Sequence, residues 1–100
     1  MTKARFWEQG FSITGHSTKD AKDDEGRLVC AAVSSAAYMA ANTVTEVIKD
    51  NAEIDVKDGE MFLSVKNPSA ETKAVLEGLK LHLIELSKQY GKQLSVITEV

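Results

Sequence analysis

Cys30 and His16 are the two side chains of this sequence whose chemistry and positions fit a nucleophile and its base. A thiolate attacks carbonyl carbon, and an imidazole, which titrates near neutral pH, can take a thiol proton and later protonate a leaving amine. The residues between them, 17–29, are enough to turn the chain back on itself, so the two side chains can face each other across a cleft. A buried structural cysteine and a surface histidine fit the same spacing and stay open as the alternative.

The start of the predicted helix that carries Cys30 favours the catalytic interpretation. We expect this helix to begin at Arg27, which places Cys30 in its first turn, beside backbone N–H groups that have no helical partner. Those groups and the positive end of the helix dipole favour the thiolate, and the N–H groups could also stabilise an oxyanion. Asp24 and Glu25, just before the helix, suit the same dipole.

Other kinds of site are poorly supported by the sequence. The two histidines and the cysteine include no close pair of metal ligands, and no glycine-rich phosphate loop is present, so we expect neither a metal ion nor a cofactor. His82 lies in the middle of a predicted helix and is assigned no role. Carboxylates between Asp20 and Glu25 could be assembled into a catalytic pair, but a charged run of this kind is usually a solvated surface.

The composition indicates one soluble globular domain that spans residues 1–100. Hydrophobic residues make up 43% of the chain and charged residues 27%, and the net charge of -3 does not favour nucleic-acid binding, which normally needs a basic surface. A single cysteine excludes an intramolecular disulfide and favours a reducing compartment, so we expect a cytoplasmic protein. No stretch approaches the ~18 apolar residues of a membrane span, so we expect no membrane segment.

The N-terminal segment is predicted to be a β-hairpin. Its two strands, Thr2–Glu8 and Phe11–His16, flank a two-residue turn at Gln9-Gly10. This turn pairs Phe6 with Ile13 on one apolar face, and strand alternation leaves His16 on the opposite face, at the end of the second strand.

A second hairpin is predicted around Asp58-Gly59, a strong signal for a two-residue turn. The residues Gln93–Thr98 form a closing strand, with Leu94 and Val96 on one face. The cross-strand pairs expected in the second hairpin, all on one face, are Val56 with Met61, Ile54 with Leu63, and Ala52 with Val65.

Two amphipathic helices separate these strands. The first runs from Arg27 to about Ile48; the second starts at Asn67-Pro68, as N-cap and first helical residue, and stops near Gly91. Between the first hairpin and the first helix, Ser17–Gly26 is strongly acidic and is predicted to be a mobile loop that could act as a lid. The stripes expected to face the core are Val29, Val33, Ala36, Ala40, Val44 and Val47 in the first helix, and Leu76, Leu79, Leu83 and Leu86 in the second.

The predicted order is therefore ββαββαβ, an α+β domain. Strands with one apolar face and two amphipathic helices predict a five-stranded sheet with both helices packed on one side. Leu81 and Ile84 lie off the apolar stripe of the second helix, where they either widen the core face or contact a second subunit.

Two local motifs resemble those of a known family. Gly15-His16-Ser17, then an acidic loop, then the run from Leu28 to Ser34 (Leu-Val-Cys-Ala-Ala-Val-Ser) is similar to the paired motifs of the ribosomal-processing cysteine protease (Prp) family. That family typically shows Gly-His-Ala and an Ile-Val-Cys-Ala-Ala-Val-Ser type of run. Its length and element order also match, so the resemblance covers nearly the whole chain.

The resemblance implies an endopeptidase that removes the N-terminal extension of a large-subunit ribosomal protein precursor, and it favours a homodimer. It makes Cys30 the nucleophile and His16 the base, with Gly15 allowing close chain approach and Ser34 supporting the site. The family often has Asp where this chain has Arg27, and Ala where it has Ser17. Asp24 or Glu25 could replace that carboxylate from the loop, and Arg27 itself would favour a nearby thiolate by charge.

Two rival functions remain compatible with the sequence. One is a non-catalytic, ribosome-associated module that binds a peptide in the same cleft without cleaving it. The other is a thiol redox sensor, which would need a resolving cysteine from a partner because this chain has one cysteine.

Overall fold

The computed structural model describes residues 1–16 and 23–99, and its element order confirms the predicted ββαββαβ fold. A π-helical segment, Thr43–Ile48, continues the first helix without a break. The elements are β1 (Thr2–Trp7), β2 (Gly10–Thr14), α1 (Asp24–Asn42), β3 (Ala52–Lys57), β4 (Glu60–Val65), α2 (Ala70–Gln89) and β5 (Leu94–Thr98).

The five strands form one mixed sheet in the order β3-β4-β2-β1-β5. β1 and β5 are parallel, and the other neighbours are antiparallel. Alternate residues of the central strands are buried on a single face, where both helices cover the sheet, as predicted. The fully or nearly buried side chains of that face include Ala4, Phe6, Phe11, Ile13, Met61, Leu63, Val65 and Leu94.

The first hairpin has a different register from the predicted one. Its turn is formed by Glu8 and Gln9, and Gly10 is the first residue of β2. Phe6 therefore pairs with Phe11 instead of Ile13. A Cβ on Gly10 would lie 1.8 Å from the carbonyl oxygen of Leu63, so the glycine is needed inside the sheet, where β2 meets β4, and not in the turn. The shift of two residues leaves the apolar face unchanged.

The second hairpin has the predicted register, with Asp58-Gly59 at its turn. Met61, Leu63 and Val65 of β4 are buried, whereas their β3 partners are more exposed because β3 is the last strand at this edge of the sheet. The pairing that the Asp58-Gly59 turn predicts is thus confirmed, but the side chains of β3 on the predicted apolar face are not part of the buried core.

The first helix begins at Asp24, three residues earlier than expected. Asp23 is its N-cap, and the carboxylate of Asp23 accepts a hydrogen bond of 2.9 Å from the N–H of Gly26. The C-terminal end of the predicted Ser17–Gly26 loop is therefore helix start, and its residues 17–22 lie outside the described part of the chain. The predicted stripe holds as far as Val44, and Ala37 and Ala41 are buried beside it.

Val47, which was expected in the buried stripe, is 75% exposed. The π-helical turns from Thr43 to Ile48 hold more residues per turn than an α-helix, so the 3.6-residue spacing no longer predicts the buried face. The segment ends at Lys49 in the left-handed conformation, with φ 65°.

By length and composition alone, the helical stretch Asp24–Ile48 is apolar enough to cross a membrane. The expectation that no stretch would approach the composition of a membrane span was wrong. Small residues such as Ala raise the mean hydropathy of the helix without a continuous run of large apolar side chains. In the fold this stretch is a core helix, with Val29, Val33, Ala40 and Val44 buried.

The second helix begins at Ala70 with Ser69 as its N-cap, so the predicted cap at Asn67 was wrong. The hydroxyl of Ser69 accepts a hydrogen bond from the N–H of Thr72 and donates one to the carboxylate of Asp50. That carboxylate also accepts hydrogen bonds from the hydroxyl of Thr72, at 2.6 Å, and from the N–H of Ser69. The Thr72 hydroxyl first, and then the two donors of Ser69, lower the pKa of Asp50. Ser69 is therefore the N-cap because Asp50, which lies outside the helix, binds both its N–H and its hydroxyl.

Candidate active site

A cleft of about 450 Å³ lies between α1 and the helix-facing side of the sheet, at the end where β2 stops and the β3–β4 turn begins. Four of the six residues predicted for the site line it: Gly15, His16, Cys30 and Ser34. The structure therefore brings the predicted nucleophile and base to one cleft. Its other lining residues are Thr2, Ile13, Val33, Ala37, Tyr38, Val56, Lys57, Asp58, Gly59, Glu60 and Met61.

His16 reaches this cleft because Gly15 interrupts the alternation of β2. The strand ends at Thr14, and Gly15 has a φ of +89°, a conformation that side chains other than glycine rarely adopt. A Cβ on Gly15 would also lie 2.4 Å from the carbonyl oxygen of Met1. Strand alternation alone had predicted His16 on the face away from the helices. That prediction was wrong because the chain turns at Gly15 before it reaches His16.

The imidazole of His16 lies against the turn between β3 and β4. The N–H of Gly15 donates a hydrogen bond of 2.9 Å to the carbonyl oxygen of Gly59, which ties the two chain segments together. The outer edge of the ring, at Nε2, Cε1 and Cδ2, lies close to the α-carbon of Gly59, and the His16 side chain is exposed. One side of the imidazole is thus supported by backbone.

Cys30 lies on the sheet-facing side of α1, between the buried Val29 and Val33, and is partly accessible. It forms no disulfide. Cys30 is the seventh residue of the helix, so the expectation that it lies in the first turn was wrong. At this position its own backbone N–H is within the helical hydrogen-bond ladder, and the N–H groups of the helix start are a full turn away.

Two of the N–H groups at that helix start are already paired with Asp23. Gly26 donates to the Asp23 side chain, and Arg27 donates to the Asp23 carbonyl oxygen at 3.1 Å. The N–H groups of Gly26 and Arg27 are therefore not available as the oxyanion donors that the sequence suggested.

The two remaining predicted residues, Asp24 and Arg27, contact each other on the first turn of α1. The guanidinium of Arg27 donates a hydrogen bond to the carboxylate of Asp24, and both side chains are more than half exposed. Neither residue lines the cleft. A supporting role for them at the site stays a prediction.

Tyr38 and the β3–β4 turn are the cleft residues that sequence reasoning missed. Tyr38 follows Cys30 and Ser34 at spacings of four residues, so the helical repeat that places Ser34 in the cleft also places Tyr38 there. The turn gives no local signal of its position, because it reaches the cleft only through the pairing of β4 with β2.

The charged groups of the cleft come from this same hairpin: Lys57, Asp58 and Glu60. Lys57 forms an ion pair with Asp55 at 3.5 Å. The other charged groups of the cleft are the carboxylates of Asp58 and Glu60. Within residues 1–16 and 23–99, no group of three His, Cys, Asp or Glu side chains is arranged to hold a metal ion. The side chains of the cleft that can take part in chemistry are the imidazole, the thiol, these two carboxylates and the hydroxyls of Thr2, Ser34 and Tyr38.

Residues 1–95 match the family described as cysteine protease Prp. A search of curated protein sequences finds no significant match.

Solved structures share the fold over nearly the whole chain. Two crystal structures of the essential ribosomal processing protease Prp from S. aureus, one with a substrate peptide and one with a covalently linked product peptide, each align with a TM-score of 0.86 and 16% identity, covering 99% of this chain and 100% of theirs. The structure of SMU.848 from Streptococcus mutans aligns with a TM-score of 0.77 and 20% identity, covering 99% of this chain and 96% of that one. At such identities the likeness shows a common fold.

Proposed function

The chain belongs to the cysteine protease Prp family. We propose that it is an endopeptidase in which His16 activates Cys30 to cleave a ribosomal protein precursor. The observation that carries the proposal is the cleft lined by both side chains. The match over residues 1–95 includes both of them.

The chemistry follows from what the two side chains can do. The imidazole of His16 takes the proton of the Cys30 thiol, and the thiolate attacks the carbonyl carbon of the scissile peptide bond. The imidazolium then gives its proton to the leaving amine, which departs as the new N-terminus of the mature protein. Water hydrolyses the thioester that remains on Cys30, with the neutral imidazole as base, and the thiol is regenerated. His16 at the rim and Cys30 on the wall of one cleft suit this proton exchange.

The substrate proposal rests on the family and on its solved members. The S. aureus protein is a ribosomal processing protease that has been crystallised with a substrate peptide and with a covalently linked product peptide. For the present chain we propose the same class of substrate, the N-terminal extension of a large-subunit ribosomal protein. The cleft is open at the surface and large enough for several side chains of an extended peptide, and its floor is formed by apolar residues of β2, β3 and β4.

Cleavage of a synthetic peptide that spans this extension tests the proposal. The expected products are the extension and the mature N-terminus, detected by mass spectrometry. Cys30→Ala and His16→Ala should each abolish turnover, whereas His82→Ala should not, because His82 lies on α2 and does not line the cleft. Cleavage by the Cys30→Ala protein would overturn the assignment of the nucleophile. Peptide binding without any turnover by the wild-type protein would favour the non-catalytic module instead.

We further propose that the protein acts as a homodimer in the cytoplasm. Leu81 is 60% exposed on α2, and Met39 on α1 is 64% exposed, so the helical side of the domain carries apolar surface that a second copy could cover. Sedimentation velocity at micromolar concentration should give the mass of a dimer, and Leu81→Glu should shift it toward the monomer. A wild-type protein that sediments as a monomer contradicts this assembly.

A further inference from the structure

We infer that Gly59, at the tip of the β3–β4 hairpin, is a positioning residue that holds the His16 imidazole in the cleft. The inference deepens the proposed function and rests on it, since it assigns the part of the molecule that orients the base. Gly59 lies far from both Cys30 and His16 in sequence and belongs to neither of their motifs.

The first observation is the contact between the glycine and the ring. A Cβ built on Gly59 would lie 2.7 Å from Nε2 of His16, 3.2 Å from Cε1 and 3.3 Å from Cδ2. The outer edge of the imidazole therefore occupies the space that any side chain at this position would need. Only a residue without Cβ leaves room for the ring where it is.

The second observation is that the turn and the histidine are joined through the backbone. The carbonyl oxygen of Gly59 accepts the hydrogen bond from the N–H of Gly15, the residue directly before His16. In the adjoining ladder Thr14 pairs with Glu60, so the hairpin tip is in register with the end of β2. Gly59 therefore contacts the ring of His16 and also binds the backbone of the preceding residue, Gly15.

The third observation is that a side chain at Gly59 would displace the His16 ring without disturbing the backbone. The atoms that a Cβ at Gly59 would displace belong to the end of the His16 side chain, which is exposed and can rotate away at little cost. At Gly10 and Gly15, by contrast, the obstructing atoms are backbone. A substitution at Gly59 is therefore expected to leave the fold intact and to move the imidazole from its position in the cleft.

Two substitutions distinguish this contact from backbone strain. Gly59 has a φ of +72°, where alanine is strained but asparagine is tolerated. Gly59→Ala and Gly59→Asn both add the Cβ that meets the ring, so both should lower kcat for the precursor peptide by about 100-fold, the loss typical of a catalytic group displaced by about 1 Å, with KM changed less than about threefold. Gly78→Ala is the matched control, since a Cβ there meets no atom within 4 Å, and it should keep wild-type kinetics.

Nuclear Overhauser effects test the contact without any catalysis. In the wild-type protein, cross-peaks are expected between the α-protons of Gly59 and the Hε1 and Hδ2 protons of His16, and both Gly59 variants should shift the His16 ring signals but not those of His82. Absence of these cross-peaks, or Gly59→Asn with wild-type kcat, would overturn the inference. If the wild-type protein cleaves no precursor peptide but shows the cross-peaks, the proposed function fails while the positioning contact stands.

Discussion

Replacing Gly15 with alanine should destabilise the protein, whereas the same replacement at Gly78 should stabilise it. Both variants change the unfolded chain in the same way, because each exchanges a glycine for an alanine, so the difference between them reports the folded state. Gly15 has a φ of +89°, and its missing Cβ would lie 2.4 Å from the Met1 carbonyl oxygen. Gly78 is in the middle of α2, where a Cβ meets nothing within 4 Å.

The magnitudes follow from these two environments. A left-handed conformation costs a residue with a Cβ about 1–2 kcal/mol, and the clash with Met1 adds to that cost because backbone must move. Alanine in a helix interior is favoured over glycine by roughly 0.8–1 kcal/mol. Since 1 kcal/mol shifts the melting temperature of a domain of this size by about 4–8 °C, Gly15→Ala should melt at least about 4 °C below the wild type and Gly78→Ala a few degrees above it.

Differential scanning calorimetry of the three proteins at one concentration is the assay. Gly15→Ala should also lose peptidase activity, because it alters the turn that aims His16 into the cleft. A Gly15→Ala protein that melts at or above the wild-type temperature would refute the argument from backbone conformation and close contact.

The remaining predictions concern stability. Leu63→Ala should cost about 2–5 kcal/mol in urea unfolding because Leu63 is completely buried, whereas Ile54→Ala, at its half-exposed cross-strand partner, should cost less than half as much; equal costs would contradict the assigned core. Lys49→Gly should stabilise the protein by about 1 kcal/mol, since Lys49 has a φ of 65°; an unchanged melting temperature would contradict that. Asp50→Asn should destabilise the protein at pH 7. Because the hydroxyl of Thr72 and the donors of Ser69 lower the folded-state pKa of Asp50, its contribution is present above the unfolded-state pKa of about 3.9 and disappears as the pH falls through the lower folded value. Unfolding of both proteins at pH 7 and at the acid limit checks this, and a difference that persists in acid counts against it.

The sequence predicts the fold well where the deciding interactions are local. Asp58-Gly59 sets the register of the second hairpin, and the leucine stripe of α2 identifies its buried face, because turn chemistry and helical period act within a few residues. At Gly10 and Ser69 the local sequence signals gave the wrong prediction. Gly10 is required because β4 approaches it closely, not because it forms the turn. Ser69 caps α2 because its side chain is held by Asp50. Both outcomes depend on contacts between distant parts of the chain.

The candidate site divides in the same way. Cys30 and Ser34 lie on one helical face, and Gly15-His16 is recognisable as a motif, so these four could be named from the sequence. The contact of His16 with Gly59 could not, because it needs the strand order that brings β4 beside β2. Local signals therefore predict the candidate reacting groups, and the tertiary fold supplies the contact that His16 makes with Gly59.

The rate at which iodoacetamide alkylates Cys30, measured by intact mass as a function of pH, shows whether His16 activates the thiol. If His16 accepts the thiol proton, the wild-type protein should react at pH 7 at least about ten times faster than His16→Ala, since an unassisted cysteine is only a few per cent thiolate at that pH. His82→Ala should react like the wild type. Equal rates for wild type and His16→Ala across the pH range would contradict the pairing of imidazole and thiol on which the account depends.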